Sequence, residues 1–305
     1  GITGSVGKTS TKEAVFTVLR QVRRVRSSGG NLNNEFGLPL SILGSWQKGG
    51  GIFFWIKALT FGIWQVLFRR SYPELLILEY GADRSNDIKY LLEVARPQIS
   101  VVTAIGDIPV HVEFYSGPDA VVREKSRLVE ALSAQGFAIL NYDDESVFGM
   151  RDKTRAHIIT YGFGERAEVR ITNFEHRMED GKPMGIAFKL EYGGSFVPVR
   201  LEDSFGKAQA YAAAAAAAAG IAFGMNLVRI SEALSFYQAP IHRGKLLAGV
   251  KETYIIDDAY NASPLSMRAA LDTVKDIKAR RKVGVLGDML EIGKYAIEAH
   301  EELGR

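Results

Sequence analysis

Short apolar runs alternate with helical patterns along the first half of the chain. Each run has four to six residues, and one of them carries Glu79 near its carboxyl end. Runs of this kind are typical of strands that are buried on both faces of a parallel sheet. They occupy residues 75–80, 99–104 and 137–140, and the helical patterns occupy residues 8–20, 86–95 and 118–133. The alternation predicts an α/β domain with a mostly parallel sheet.

Residues 161–201 show a different pattern. Apolar and polar residues alternate or form short apolar runs on both sides of Asp180 and Gly181, and Gly193 and Gly194 mark a second turn. These features predict antiparallel hairpins appended to the parallel sheet.

Eight consecutive alanines follow at residues 212–219. Alanine is the strongest helix former and lets neighbouring backbones approach closely, so we expect a close-packed helix rather than a disordered low-complexity segment. Pro240 then marks a boundary between a domain of residues 1–239 and the start of a second, smaller α/β domain in residues 240–305. The pattern there predicts strands at 254–258 and 282–287 and a helix near 265–279.

The segment 52–68 is unusually apolar and contains two Trp and four Phe. It is shorter than the about 20 apolar residues that a membrane-spanning helix needs, and its flanks belong to one α/β domain. We therefore expect an inserted helix or helical hairpin that packs on the domain. The alternative is an interfacial membrane helix with Lys48, Arg69 and Arg70 at its ends, which would give the protein a peripheral membrane contact.

The composition and the chain ends exclude several classes of protein. The 38 basic and 35 acidic residues leave a net charge of +3, which gives no electrostatic case for nucleic acid as a partner. The chain has no cysteine, so disulfides, cysteine-ligated zinc and thiol catalysis are excluded. No secretory signal region opens the chain, so we expect a cytoplasmic protein. We also expect a fragment, because the chain starts at a glycine-rich loop without the strand that normally precedes one.

That loop, Gly-Ser-Val-Gly-Lys-Thr at residues 4–9, opens the first predicted helix. Backbone N–H groups of such a loop hold phosphate oxygens, the Lys8 ammonium adds a positive charge, and the Thr9 hydroxyl is a Mg²⁺ ligand. The strict phosphate-loop spacing would need glycine at Ile2, so only the shorter Gly-x-x-Gly-Lys-Thr pattern is present. The position at a helix start favours nucleotide binding over an ordinary glycine-rich turn.

Acidic side chains end several of the predicted strands. Glu79, Asp258 and Asp288 occupy such positions, and His111 follows the predicted strand at 99–104. In open α/β sheets ligands bind at the carboxyl ends of the strands, where a carboxylate can ligate Mg²⁺. Each residue alone is more often a solvated or structural group, but together beside a phosphate loop they predict a metal and nucleotide site.

Six segments, in order along the chain, resemble the Mur ligase family of amide ligases. They are residues 3–10, 31–39 (Asn-Leu-Asn-Asn-Glu-Phe-Gly-Leu-Pro), 78–82, 111–116, 257–264 (Asp-Asp-Ala-Tyr-Asn-Ala-Ser-Pro) and 286–293, the last followed by His300. The resemblance is greatest to members that join D-alanyl-D-alanine to UDP-MurNAc-tripeptide in peptidoglycan precursor synthesis. It implies an acyl phosphate intermediate, ADP and phosphate as products, and a fragment that lacks the N-terminal domain and the end of the C-terminal domain. We expect a monomer.

The resemblance also implies cofactors and site residues. The cofactors are ATP and two Mg²⁺ ions. The implied ATP-binding residues are Gly4, Ser5, Val6, Gly7, Lys8, Thr9, Ser10, Gln209, Arg243, Asp258 and Asn261. The implied Mg²⁺ ligands are Thr9, Glu79, His111 and Lys125, the last as a carbamate, and the implied substrate contacts are Asn33 and Asn34. Catalytic roles fall to Lys8, His111, Lys125 and Arg243, although the chemistry of the sequence alone does not single out Lys125.

Two segments depart from the family pattern. The family opens the alanine-rich helix with His-Asn-x-x-Asn, whereas this chain has Ala208, Gln209 and Ala212 at those three positions. Gln209 keeps an amide, but the contacts to adenine must differ. The usual Gly-Arg is His242 and Arg243, so the arginine is kept while its turn changes.

Two other functions remain as alternatives. One is another Mur-type or polyglutamate-type amide ligase on the same scaffold, which a substrate screen would separate. The other is a non-catalytic nucleotide-binding, membrane-associated protein, motivated by Ala212 and by the segment 52–68, which is an insertion relative to the family. ATP turnover in the presence of an acceptor would separate this class from the enzymes.

Overall fold

The computed structural model describes residues 1–30, 32–68, 72–251 and 253–305. Asn31, the first residue of the segment 31–39, and Arg69 and Arg70, which follow the segment 52–68, lie outside the described residues. The strands are β1 (Ile2–Thr3), β2 (Val25–Ser27), β3 (Leu75–Ile77), β4 (Ile99–Val102), β5 (Phe137–Asn141), β6 (His157–Gly162), β7 (Val169–Glu179), β8 (Lys182–Tyr192), β9 (Ser195–Glu202), β10 (Lys245–Ala248) and β11 (Tyr254–Asp257). The α-helices are α1 (Lys8–Leu19), α2 (Gly37–Leu43), α3 (Ile52–Phe68), α4 (Asp87–Val94), α5 (Pro118–Glu130), α6 (Glu145–Phe148), α7 (Lys207–Ala222), α8 (Leu227–Leu234), α9 (Pro264–Asp276) and α10 (Ala296–Gly304).

The main sheet has the strand order β1-β4-β5-β6-β7-β8-β9. Neighbours from β1 to β7 are parallel, and β7, β8 and β9 continue as antiparallel hairpins. The parallel pair of β2 and β3 joins the other edge, where Ile2 N donates to Leu78 O and Tyr80 N donates to Ile2 O, at 2.9 and 2.8 Å. The predicted α/β class, with a mostly parallel sheet and appended hairpins, is confirmed.

The strand before the glycine-rich loop is present, so the expectation that it lies outside the chain was wrong. Ile2 and Thr3 are buried and pair in parallel with Val101 and Val102 of β4. Two residues suffice because hydrogen bonds on both sides, to β4 and to residues 78–80, hold them in the middle of the sheet.

The predicted strand at 282–287 was also wrong. The described structure assigns no strand there, and the Val285 side chain is 94% exposed. An apolar run becomes a strand only when a neighbour supplies hydrogen-bonding partners. Among the described residues no strand lies beside this segment, because β11 pairs antiparallel with β10 in a separate two-stranded sheet.

The alanine run forms α7, as predicted, and residues 212–219 are at most 2% exposed. The helix contacts the sheet, α1 and α8. Because no side chain on this stretch extends beyond Cβ, the stretch has no polar face and is buried on all sides. Its small side chains let α1, which follows the glycine-rich loop, pack closely against α7.

The segment 52–68 forms one straight element, α3, rather than a hairpin. Its inner face packs on α2: Ala58 and Gly62 are buried, and Gln65 Nε2 donates to Leu43 O at 2.8 Å. A Cβ at Gly62 would lie 2.8 Å from the end of the Leu43 side chain, which would have to move to make room for it. In the described parts of the chain, no helix is long and apolar enough to cross a bilayer.

Residues after Pro240 form β10, β11, α9 and α10, and they contact the first part of the chain. Phe205 N donates to Gly244 O at 2.8 Å, and a bridge joins Ser204 to Lys245. The division into domains of 1–239 and 240–305 stays a prediction.

We expect Ala216→Leu to destabilise the fold by about 1–3 kcal/mol, because the added atoms would force α7 away from α1 and the sheet. Urea unfolding followed by circular dichroism measures the change. Ala208→Leu, at an exposed position in the same helix, is the matched control and should change stability far less. Equal stability of wild type and Ala216→Leu would contradict the tight packing of α7.

Candidate active site

A cleft of about 1140 Å³ opens at the carboxyl ends of the parallel strands. Residues after β1, β3 and β4 form one side, and residues from α7, β11 and α9 form the other. Of the site residues predicted from the sequence, the structure places these around the cleft: Ser5, Val6, Gly7, Lys8, Thr9, Ser10, Asn33, Glu79, His111, Gln209, Arg243, Asp258 and Asn261. Gly4, Asn34 and Lys125 do not line it.

The glycine-rich loop adopts a conformation that requires its two glycines. Gly4 has φ of 143°, and a Cβ there would lie 1.9 Å from Thr103 Oγ1. Gly7 has φ of 89° and lies directly before α1. Ser5 N and Val6 N donate to Ala104 O at 2.7 and 3.0 Å, which fixes the loop to the end of β4.

The loop presents groups suited to an anion. The N-terminus of α1 has no side-chain cap, so its first N–H groups are available to a ligand. Among the described residues, the buried Ser5 hydroxyl has no hydrogen-bond partner. Lys8 Nζ donates to Gly4 O at 2.9 Å. Burial lowers the pKa of Lys8 from its ordinary value, and the Glu79 carboxylate opposes that shift.

The Glu79 carboxylate is 3% exposed and has three partners. Thr9 Oγ1 donates to Oε2 at 3.4 Å, Asn33 Nδ2 donates to Oε1 at 3.2 Å, and Lys12 Nζ lies 3.6 Å from Oε2. A buried carboxylate beside a threonine hydroxyl provides two oxygens of the kind that Mg²⁺ binds.

Lys12 was missed by the sequence reasoning. Its side chain is 1% exposed and also donates to Gly30 O at 3.1 Å. Lys12 lies one helical turn after Lys8. The four-residue spacing of the two lysines, which puts them on the same side of α1, could have indicated that Lys12 belongs to the site. The ammonium compensates the buried charge of Glu79.

His111 lies between two carboxylates. Its Nε2 is 3.3 Å from Asp83 Oδ1, and its Nδ1 is 2.8 Å from Glu291 Oε2. Burial lowers the pKa of His111, while Asp83 and Glu291 raise it. A neutral imidazole retains the lone pair that a metal ligand needs. Asp83 and Glu291 were not predicted as site residues, since only the fold brings their segments to His111.

Lys125 is 1% exposed within α5. Burial, together with the positive charge of Lys8, lowers its pKa to about 7. A lysine with such a pKa is partly unprotonated near neutral pH and can act as a nucleophile towards CO₂. The sequence gives no sign of this burial, because lysines on helices are usually solvated.

Arg243 and Asp258 reach the cleft from the last part of the chain. The Arg243 guanidinium lies 3.7 Å from the centre of the Tyr260 ring. Burial raises the pKa of Asp258 to about 6, and Arg243 opposes that change. Burial also lowers the pKa of Arg243. The two groups thus form a partly desolvated pair of opposite charges.

Gln209 is 2% exposed, and its amide is engaged within the protein. Nε2 donates to Arg243 O at 2.5 Å, and Oε1 accepts from the Tyr237 hydroxyl at 2.6 Å. In this arrangement Gln209 positions the Arg243 backbone, and its predicted contact with adenine stays a prediction. Ala212 is 1% exposed and belongs to the core.

An aromatic patch beside this helix start was also missed. The Tyr211 hydroxyl donates to Asp143 Oδ2 at 2.7 Å, and the Tyr211 ring packs edge-on against Phe163 at 5.1 Å. Asp143 also accepts from Phe163 N and Gly164 N, at 2.6 and 2.8 Å. Tyr211 lies within the segment 208–212, which departs from the family pattern. That departure could have indicated that the surroundings of Tyr211 differ from those in the family.

Two predicted residues have other surroundings. Asn34 Oδ1 accepts from Phe36 N and Gly37 N, at 3.3 and 2.9 Å, and so helps to start α2. Asp288 is 88% exposed and 4.0 Å from His300, because the strand that would have directed it towards the cleft does not form.

The described residues contain no cluster of three or more His, Cys, Asp or Glu side chains that could hold a metal ion by themselves. Mg²⁺ in nucleotide sites is commonly held by one or two carboxylates together with phosphate and water. Glu79 and Thr9 match that smaller ligand set.

Two family models match the chain. The Mur ligase middle domain matches residues 61–220, just over half of the chain, and the Mur ligase glutamate ligase domain matches residues 242–305. Two relatives are named UDP-N-acetylmuramoyl-tripeptide–D-alanyl-D-alanine ligase. The one from Mycobacterium leprae is 30% identical over 100% of this chain and 58% of its own length, and the one from Bacillus subtilis is 29% identical over 100% and 59%.

Solved structures of MurF ligases are also similar to this chain. MurF from Acinetobacter baumannii is 28% identical, with a TM-score of 0.81 over 100% of this chain and 59% of its own. MurF ligase from Thermotoga maritima in complex with ADP is 25% identical, with a TM-score of 0.80 over 100% of this chain and 62% of its own. The chain spans about three fifths of the length of the relatives that it matches. With both family models matched in order, the chain belongs to the Mur ligase family.

Proposed function

We propose that this chain is the ATP-binding and catalytic part of a ligase that joins D-alanyl-D-alanine to UDP-MurNAc-tripeptide. The relatives that match along the whole chain carry the name of that activity. The observation that carries the proposal is the meeting of Lys8, Thr9 and Glu79 in one cleft with Arg243 and Asp258. The groups that we propose to bind phosphate and metal line this cleft together with charged groups from the last part of the chain.

The residues of the cleft fit ATP. The glycine-rich loop lines the cleft from Ser5 onwards, and the buried Ser5 hydroxyl, which has no hydrogen-bond partner among the described residues, can donate to a phosphate oxygen. Lys8 supplies the positive charge. The Tyr211 ring, which lines the cleft, offers a surface on which a base can stack.

ATP supplies the phosphoryl group that converts the substrate carboxylate into an acyl phosphate, leaving ADP. The amine of the dipeptide then attacks the acyl carbon, and inorganic phosphate leaves as the amide forms. Lys8 and the loop amides position the phosphates and neutralise their charge. Glu79 and Thr9 would hold a first Mg²⁺ ion, and His111 a second. Arg243 and Asp258 contact the nucleotide from the other side of the cleft and exclude water from the activated carboxylate.

Carbamylation of Lys125 would complete the second metal site. A free ammonium cannot ligate Mg²⁺, because it has no lone pair. Burial makes Lys125 partly neutral near pH 7, and reaction with CO₂ would replace the amine by an anionic oxygen-bearing group. Lys8 and Lys125, both cationic, would otherwise repel one another in this region, so the change of sign also relieves that repulsion.

We propose the cytoplasm as the site of action, because ATP and nucleotide-linked sugars are supplied there, and a monomer as the working form. Phosphate release by the full-length protein with UDP-MurNAc-tripeptide tests the activity. D-alanyl-D-alanine should support turnover, and single amino acids or glutamate should not. Turnover with another acceptor would favour a different amide ligase, and no turnover with any acceptor would favour a non-catalytic protein.

Lys8→Ala should weaken binding of Mg²⁺ and ATP by roughly 1.5–3 kcal/mol, or about one to two orders of magnitude in Kd, because a charge-assisted phosphate contact is lost. Isothermal titration calorimetry measures the affinity. Lys89→Ala removes an exposed lysine of α4 and should leave it unchanged. Wild-type affinity and turnover in Lys8→Ala would overturn the role of the loop.

Lys125→Ala should lose most ligase activity, and acetate should restore part of it by occupying the vacated space with a carboxylate. Lys125→Arg should not be rescued, because arginine fills the space and is not carbamylated. Turnover is measured with and without acetate, and for the wild type in buffer depleted of bicarbonate. Since the amine must be neutral to react, the concentration of dissolved CO₂ needed for full activity should fall as pH rises through about 7. Full activity of Lys125→Ala without acetate would show that this lysine has no role in the reaction.

A further inference from the structure

The outer face of α3 is apolar and exposed along its whole length. Six large side chains on it are between 52% and 83% exposed: Phe53, Ile56, Leu59, Ile63, Val66 and Leu67. Their spacing of three or four residues puts them on one side of the helix. A 17-residue helix is about 25 Å long, so this is a continuous patch of the kind that marks an interaction surface.

The opposite face of α3 is already used within the protein. Ala58 and Gly62 are buried against α2, and Gln65 donates to Leu43 O. Trp46 packs edge-on against Phe54 and Phe61, with ring centres 5.1 and 6.1 Å apart. The inner face of α3 therefore attaches the helix to the protein, and the outer face is exposed to solvent.

The charged residues in the sequence around this helix are all basic. Between Glu35 and Glu74 the sequence has no acidic residue, while Lys48, Lys57 and the Arg69-Arg70 pair make four basic ones. Lys48 and Lys57 are exposed. The remainder of the chain has 34 basic and 35 acidic residues, so the net positive charge of the protein comes from this stretch.

The tryptophans are concentrated in the same place. All three in the chain, Trp46, Trp55 and Trp64, lie between Glu35 and Glu74, and Trp64 is 55% exposed at the edge of the outer face. Tryptophan is enriched where an apolar phase meets water, because its ring is apolar and its N–H is polar.

We propose that α3 binds peripherally to an anionic lipid surface, lying in the plane of the interface with its outer face at the acyl boundary. The basic residues around it would contact the headgroups. A second copy of this chain fits the face less well, because it would bring two stretches of like charge together. This inference goes beyond the ligase activity and does not depend on it, since binding to lipid needs neither ATP nor peptide substrates.

Vesicle flotation and tryptophan fluorescence test the proposal. Phosphatidylcholine vesicles with about one third phosphatidylglycerol should carry the protein upward, and pure phosphatidylcholine vesicles should carry much less. Because every tryptophan lies beside or within α3, the emission should shift to the blue and become less accessible to acrylamide on binding.

Substitutions separate the apolar and the charged contributions. The double variant Phe53→Ser with Ile63→Ser should reduce partitioning at least about tenfold, because two large apolar groups no longer enter the interface. The double variant Lys48→Gln with Lys57→Gln should reduce binding to the anionic vesicles by about tenfold and leave binding to phosphatidylcholine unchanged. All of these residues are exposed, so the circular dichroism spectrum should match that of the wild type.

The matched control is Val228→Ser with Phe236→Ser, which removes two exposed apolar side chains, 58% and 65% exposed, near α8. It should bind like the wild type. Absence of flotation with anionic vesicles would overturn the proposal, as would an equal loss in this control. A lipid-free dimer that Phe53→Ser with Ile63→Ser abolishes would assign the face to a second copy instead.

Discussion

The buried carboxylate of Glu79 connects three segments that are distant in sequence. It accepts hydrogen bonds from Thr9 on α1 and from Asn33 in the loop before α2, and it is paired with Lys12. A buried carboxylate without such partners would be strongly unfavourable, so these contacts must form together. The glycine-rich loop, the loop containing Asn33 and the end of β3 are thereby held in one arrangement around the cleft.

The packing of α7 makes that arrangement possible. Because α7 consists of small side chains where it meets α1, the helix that starts at Lys8 packs closely against α7. The loop before α1 is fixed in turn by the contact of Gly4 with Thr103, where no side chain would fit. The position of the candidate phosphate-binding groups thus depends on side chains that are small in α7 and absent at Gly4.

The same structure connects the cleft to the apolar surface. Asn33 O accepts from Gly81 N at 2.8 Å beside the cleft, and α2, which supports α3, begins four residues later at Gly37. Tyr72 and Arg26 both donate to Ile42 O and hold the end of α2 against the sheet. A short segment therefore carries the candidate active site at one end and the candidate lipid-binding helix at the other.

Local patterns predicted much of this protein. The glycine-rich loop, the turns at Gly181 and Gly193, and the alanine helix are specified by residues that are close in sequence, so their conformations could be predicted. The tertiary structure alone decided the pairing of His111 with Asp83 and Glu291, the burial of Lys12 and Lys125, and the engagement of Gln209 with Arg243. It also decided that residues 282–287 form no strand in the described structure. The physical reason is that desolvation and strand pairing depend on neighbours from distant parts of the chain, whereas turn geometry and helix propensity act within a few residues.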